Sequence, residues 1–206
     1  MLALKGWRIV AAAAAILAAL ICAAAALAPD MVAGLRMIIR WTARLSLLLF
    51  LTAFTASALA RLVPAPWTTA LLARRRQLGL SFALSHFVHL AAILLFAATD
   101  PALFRSLTNT ATIASGSLAY LFIAALALTS FDAAPKRMGW RAWQTLHRIG
   151  IWYIFVSFVV AFGKRAVLDA TYWPAMALLA VSLAIRISAA LCPRGNRDGT
   201  LLHSKG

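Results

Sequence analysis

Acidic residues are almost absent from this chain, which has five aspartates and no glutamate. Charged residues of both signs make up only 12% of the sequence, about half the share found in soluble domains. With 64% hydrophobic residues, the chain has too few polar groups to cover a surface in water. Two cysteines are too few for a disulfide-stapled secreted domain, and the apolar content excludes disorder, collagen and a coiled coil. An integral membrane protein is the class that remains.

Nucleotide-binding motifs are missing as well. The sequence has no G-x-G-x-x-G motif, P-loop or C-x-x-C motif, so we predict no nucleotide site of its own. In a soluble protein the net charge of +15 would suggest a nucleic-acid partner. Here the basic residues cluster between apolar runs, which is typical of orientation in a membrane. Lipid, and not nucleic acid, is therefore the predicted partner.

Six apolar runs are long enough to cross a bilayer. A hydrocarbon core about 30 Å thick takes about 20 helical residues, and a helix satisfies its own backbone hydrogen bonds in lipid. We therefore predict an all-α integral membrane six-helix bundle that forms one transmembrane domain over residues 1–206. The predicted spans are about 7–28, 41–63, 78–98, 112–131, 145–162 and 172–191.

Lysine and arginine are distributed unequally between the two sides. Twelve lie in the N-terminal segment, the second-to-third loop, the fourth-to-fifth loop and the tail, against five in the opposite loops. The positive-inside rule then predicts that both termini face the cytoplasm. The first span also resembles a signal peptide, because Lys5 and Arg8 precede an alanine-rich run that ends before Pro29. That run is longer than the usual apolar core of about 7–15 residues, so we expect the span to be retained.

Three histidines lie inside the predicted spans, where polar side chains are costly and indicate function. His86 and His89 are three residues apart and share one face of the third span. His147 lies near the start of the fifth span. Counted from the basic residues at the cytoplasmic ends, His86 lies about 15 Å deep, His89 about 20 Å and His147 about 9–15 Å. We therefore expect the three rings in one layer of the inner half of the membrane.

Imidazoles from two helices in apolar surroundings fit one b-type haem with two histidine ligands. His89, His147 and His86 are the candidate iron ligands, and Arg76 and Arg148 are candidate partners for the haem propionates. The alternative is that each histidine forms a hydrogen bond between helices. No catalytic residue is predicted.

Two segments of the chain carry recognisable motifs. One is the run RRQLGL over residues 75–80, followed by His89. The other is LTS over 128–130, GW over 139–140 and WQTLHR over 143–148. In this order and spacing, over about residues 74–162, they resemble the ferric reductase-like transmembrane family. His89 and His147 occupy histidine positions of that family, and His86 is an additional candidate.

The resemblance implies a haem-containing oxidoreductase subunit without its own flavin or NAD domain. Electrons would pass from a cytoplasmic or quinol donor to a partner or acceptor, with a quinone or a partner's flavin as further redox groups. The implied partner is a flavin reductase or a periplasmic oxidoreductase, and the implied location is the inner membrane of a bacterium. Two-haem members have a further histidine about thirteen residues after the position of His147. Residues 158–162 contain none, so we predict one haem.

Two other classes of function are compatible with the same residues. A transporter or proton-conducting subunit would use the histidines as a relay, although the spans contain no acid. A non-catalytic anchor subunit would need the helices but not the histidines. Haem content distinguishes both from the electron-transfer hypothesis.

Overall fold

The computed structural model describes residues 2–192, with side chains from residue 6 onward, and almost all of this range is helical. The helices are α1 (Leu2–Leu27), α2 (Met31–Leu62), α3 (Pro66–Ala73), α4 (Arg75–Thr99), α5 (Pro101–Leu107), α6 (Thr110–Leu128), α7 (Ala133–Met138), α8 (Trp140–Ala166), the 3₁₀ helix η1 (Ala170–Tyr172) and α9 (Trp173–Leu191). Within the described range, six helices are long and apolar enough to cross a membrane, namely α1, α2, α4, α6, α8 and α9. The predicted all-α bundle with six spans is confirmed. The predicted basic tail, after Cys192, lies outside the described residues.

Two helices extend beyond their predicted spans. Helix α2 begins at Met31 and not near residue 41, because the side chain of Asp30 accepts a hydrogen bond from the Ala33 amide at 2.8 Å and caps it. Hydropathy did not indicate that α2 begins at Met31, because Arg36 and Arg40 lower the local average. Helix α8 begins at Trp140 and not near residue 145, directly after Gly139, whose φ of 83° suits glycine.

The six long helices alternate in direction, which gives the bundle two ends. The terminal end contains the start of α1, α4 and α8 and the end of α2, α6 and α9. The far end contains the opposite helix termini, including η1. At the terminal end an Arg61 guanidinium donates to the carbonyl oxygen of Cys192, and Arg76 pairs with Asp132 at 3.0 Å. These contacts hold loops of the terminal end together.

Aromatic side chains fill the space between α2, α4 and α8. The rings of Phe54 and Phe155 stack with centroids 4.9 Å apart, and Phe50 contacts both Phe82 at 5.3 Å and Phe158 at 5.4 Å. Offset and tilted rings at these separations attract beyond simple burial. The aromatic core therefore sets the distance between α4 and α8.

Helices α2 and α4 meet along a seam of small polar residues. Thr42, Ser46, Ser81 and Ser85 are all completely buried. The hydroxyls of Ser46 and Ser85 are 2.9 Å apart and form a hydrogen bond between the helices. Small side chains allow close approach of helices in lipid, where apolar attraction between helices is weak. This seam fixes the register of α4 against α2 and so positions the histidines.

Candidate functional site

His86 and His89, here called the histidine pair, lie on one side of α4 as predicted. Their rings stack with centroids 5.1 Å apart and an angle of 18° between planes. Because both rings project from the same face of one helix, they cannot bind opposite faces of one flat cofactor. One member of the pair at most can be an axial ligand to a given iron.

A hydrogen bond from His89 to Thr42 on α2 orients the imidazole. The Thr42 hydroxyl donates to the Ile38 carbonyl oxygen at 2.6 Å, so its oxygen is available to accept from His89 Nδ1 at 3.0 Å. The pattern assigns the proton to Nδ1 and leaves Nε2 as the nitrogen with a free lone pair. Metal-binding histidines are held in this way, with the second ring nitrogen donating to an oxygen.

His86 points into the space between α4, α6 and α8. Its ring is 5.3 Å from Phe82, 5.1 Å from Tyr120 and 5.7 Å from Phe158, measured between centroids. Among the described residues, neither His86 Nδ1 nor the Tyr120 hydroxyl has a hydrogen-bond partner, although both atoms are buried. Buried polar atoms are normally satisfied, so this space calls for a further polar group or ligand.

His147 belongs to a separate cluster at the terminal end. Its Nε2 is 3.0 Å from the Thr129 hydroxyl, which itself donates to the Ala125 carbonyl oxygen at 2.6 Å. The Trp143 indole donates to the Thr129 carbonyl oxygen at 2.8 Å, and its ring is 4.3 Å from the imidazole. Thr129, Trp143 and His147, which belong to the motifs between the fourth and fifth spans, thus contact each other. The His147 ring nitrogen that is not bonded to Thr129 is Nδ1.

The prediction that the three rings lie in one layer is wrong. His86 is level with Phe158, which lies on α8 eleven residues after His147. At 1.5 Å per residue, His147 is displaced from the histidine pair by about 16 Å or more along the bundle. Counting from basic residues failed because α8 begins further out at the terminal end than α4 does. The pair lies toward the far end, and His147 lies toward the terminal end.

Arg76 and Arg148, the predicted partners of the haem propionates, lie at the same end of the bundle as His147. Arg76 forms its ion pair with Asp132 in the loop after α6, and Arg148 is exposed next to His147. Both are at the terminal end, away from the histidine pair. At that level Arg76 and Arg148 do not fit the propionates of a haem held by His86 or His89, so their predicted pairing with such a haem is corrected.

Three features of the site region were missed or misread in the sequence. Thr42 lies in an apolar run, and nothing in the sequence marks its hydroxyl as a partner of His89. In the sequence Arg165 falls in the loop after the fifth predicted span and Arg44 near the start of the second, yet both guanidiniums face the Tyr172 ring. An arginine near the end of an apolar span, such as Arg186, typically reaches toward the membrane surface. Instead, its guanidinium points into the bundle and donates a hydrogen bond to the Phe54 carbonyl oxygen of α2 at 2.9 Å. It also lies over the rings of Phe54 and Trp152.

A b-type haem needs an axial nitrogen with a free lone pair and flat apolar neighbours. His89 Nε2 provides the nitrogen, and the flat neighbours are the His86 ring, which stacks on His89, and the rings of Phe82, Tyr120 and Phe158 around His86. A haem held by His89 therefore fits these residues. A haem clamped between His89 and His147 does not fit, because both axial nitrogens must contact the same iron. The described residues also contain no group of three His, Cys, Asp or Glu side chains suited to a metal ion bound without a porphyrin.

A six-helix bundle of this kind, with a histidine pair oriented inside it, defines a multi-pass membrane protein. The family model described as "Ferric reductase like transmembrane component" matches residues 39–158, more than half of the chain, so the chain belongs to this family. The resemblance identified from the motifs is confirmed.

A curated relative extends this result. Over 110 residues the chain is 36% identical to the "Protein-methionine-sulfoxide reductase heme-binding subunit MsrQ" of Cronobacter sakazakii. The match covers 52% of this chain and 53% of that protein, so it spans about half of each. No solved structure matches the chain.

Proposed function

We propose that this protein is a haem-binding electron-transfer subunit of a membrane oxidoreductase. Its family and the relative named as a heme-binding subunit support this function. The observation that carries the proposal is the contact between His89 and Thr42, at 3.0 Å, which leaves the Nε2 lone pair free. The contact with Thr42 orients the ring, and an unprotonated imidazole nitrogen inside an apolar bundle is the kind of nitrogen that binds haem iron.

His89 would hold the iron, and the haem would supply a centre that accepts and releases one electron. Thr42 would fix the orientation of the His89 ring by accepting a hydrogen bond from its Nδ1–H. Phe82 and Phe158 exclude water from the space beside the pair. His86 and Tyr120 offer the two unsatisfied polar atoms there and would hydrogen-bond to whatever lies beside them.

In this proposal His147 is not a ligand of the His89 iron; at the terminal end it contacts Thr129 and Trp143. The distance of about 16 Å between the two levels is what separates the two roles. The same distance weakens a histidine relay, because a proton relay needs neighbouring groups within hydrogen-bond reach. The electron-transfer function is therefore the one that the geometry supports best.

We also propose an orientation in the membrane, an electron donor and an electron acceptor. The terminal end faces the cytoplasm of a bacterial inner membrane, as the excess of basic residues there favours. A cytoplasmic or quinol donor, or the flavin of a flavin reductase, delivers electrons. A periplasmic oxidoreductase at the far end accepts them. On this orientation His89 is nearer to the acceptor than to the cytoplasm.

The test is a reduced-minus-oxidised absorbance spectrum of the full chain, purified from cells grown with ample haem. We expect a b-type band, and we expect a quinol or a reduced flavin to generate that band in membrane vesicles. A protein that folds but shows no b-type band would contradict haem binding. A band that neither donor can reduce would leave haem binding intact and contradict the proposed donors.

A further inference from the structure

Two guanidinium groups converge on one aromatic ring at the far end of the bundle. The Cζ atoms of Arg44, on α2, and Arg165, on α8, lie 5.6 Å and 5.8 Å from the centroid of the Tyr172 ring. Arg165 Nη1 is also 3.5 Å from the Tyr172 hydroxyl. Tyr172 is buried, whereas both arginines are exposed. These three residues are called the Tyr172 cluster.

The Tyr172 cluster has more positive charge than its neighbours neutralise. Within residues 2–192, no carboxylate lies within 4.0 Å of either guanidinium. Asp169 senses the charge of Arg44, but its pKa is lowered first by hydrogen bonds from Thr171, whose amide lies 2.9 Å from the carboxylate, and less by that charge. Stacking against a ring holds the two cations in place but does not neutralise them. The cluster is therefore suited to an anion with two carboxylates or a phosphate.

A continuous ladder of aromatic rings joins the Tyr172 cluster to the histidine pair. Ring centroids are 5.7 Å apart from His86 to Phe158, 6.1 Å from Phe158 to Phe162 and 6.0 Å from Phe162 to Tyr172. Since His86 is level with Phe158, His89 is level with residue 161 of α8. Arg165 is four residues further, about 6 Å nearer the far end.

We propose that Arg44 and Arg165 bind the two propionate carboxylates of the haem held by His89. The inference rests on the proposed function and adds to it the residues that recognise the carboxylates of the haem. It replaces Arg76 and Arg148, because those arginines lie at the other end of the bundle. The competing anion of the same chemistry is a lipid phosphate at the membrane surface.

The test compares haem with its dimethyl ester, in which both carboxylates are masked. Apo-protein of the full chain is reconstituted with each compound, and the affinities are measured by absorbance titration. The variants are Arg44→Gln, Arg165→Gln and both together, with Arg40→Gln, one turn away on α2, as the matched control. Lipid phosphorus retained per protein is measured on the same samples, and circular dichroism checks that each variant is folded.

Wild type and Arg40→Gln should bind haem about tenfold more tightly than the ester, and the double variant should lose that preference. An unchanged preference in the double variant would overturn the inference while leaving haem binding intact. The same would follow if the double variant lost lipid phosphorus but kept its preference for haem, since the arginines would then hold lipid. Wild type that binds neither compound would contradict the proposed function and the inference together.

Discussion

Replacing Thr42 by valine removes one oxygen atom from the site and changes little else. The side chain is completely buried, and valine has a similar branched shape, so the change opens no large cavity, although it also removes the hydrogen bond that the hydroxyl donates to the Ile38 carbonyl oxygen. What is lost is the acceptor for His89 Nδ1, now at 3.0 Å. The imidazole would then be free to rotate and to move its proton to Nε2. In that tautomer the nitrogen that we assign to the iron has no lone pair.

The size of the effect follows from the hydrogen bond that is lost. Leaving a buried N–H without its partner costs about 1–3 kcal/mol. Removing an outer partner of a metal-binding histidine typically lowers metal affinity about 10–100-fold, which corresponds to about 1.4–2.8 kcal/mol. We therefore expect Thr42→Val to weaken haem binding by one to two orders of magnitude (about 10–100-fold) while the bundle stays folded.

Haem titration of the apo-protein, followed by absorbance, measures this change. Thr42→Ser keeps the hydroxyl and should retain most of the affinity. Thr129→Val removes the corresponding acceptor from His147 and is the matched control, since it should leave haem affinity nearly unchanged. If Thr129→Val weakened haem binding as much as Thr42→Val, or if Thr42→Val had no effect, the assignment of His89 as the oriented ligand would be refuted.

Three further predictions concern the bundle and can be checked by thermal unfolding in detergent. A Cβ added at Gly116 meets nothing within 4 Å, so Gly116→Ala should stabilise the bundle by up to about 1 kcal/mol. A Cβ added at Gly150 would lie 3.1 Å from a leucine methyl group of α6, so Gly150→Ala should gain less or lose stability. Ser46→Ala breaks the hydrogen bond to Ser85 and should cost about 0.6 kcal/mol. Arg186→Gln loses stacking on two aromatic rings and should lower the unfolding free energy by about 1 kcal/mol, and an unchanged melting temperature would contradict the inward orientation of this arginine.

The spans and the shared face of the histidine pair could be predicted from the sequence because both depend on local patterns. Hydropathy identifies a stretch that must be helical in lipid. A spacing of three residues places His86 and His89 on one face whatever surrounds the helix. The motifs around residues 75–80 and 128–148 identified the family for the same reason, since they are read along the chain.

The relative depth of the histidines could not be predicted, because it depends on how the helices slide against each other. The Ser46–Ser85 seam sets α4 against α2, and the contact of His86 with Phe158 sets α4 against α8. Neither contact has a periodic signal in the sequence. Basic residues at the helix starts are poor markers of depth, because α8 begins further out at the terminal end than α4 does.

The haem-to-protein ratio of His89→Ala and His147→Ala, purified in parallel with wild type, tests most directly whether His89 holds the haem without His147. We predict that His89→Ala loses the b-type haem while His147→Ala keeps its spectrum, because the two imidazoles lie at different levels of the bundle. Loss of the same haem in both variants would mean that the two rings hold one iron, and the separation of about 16 Å between them would then be contradicted.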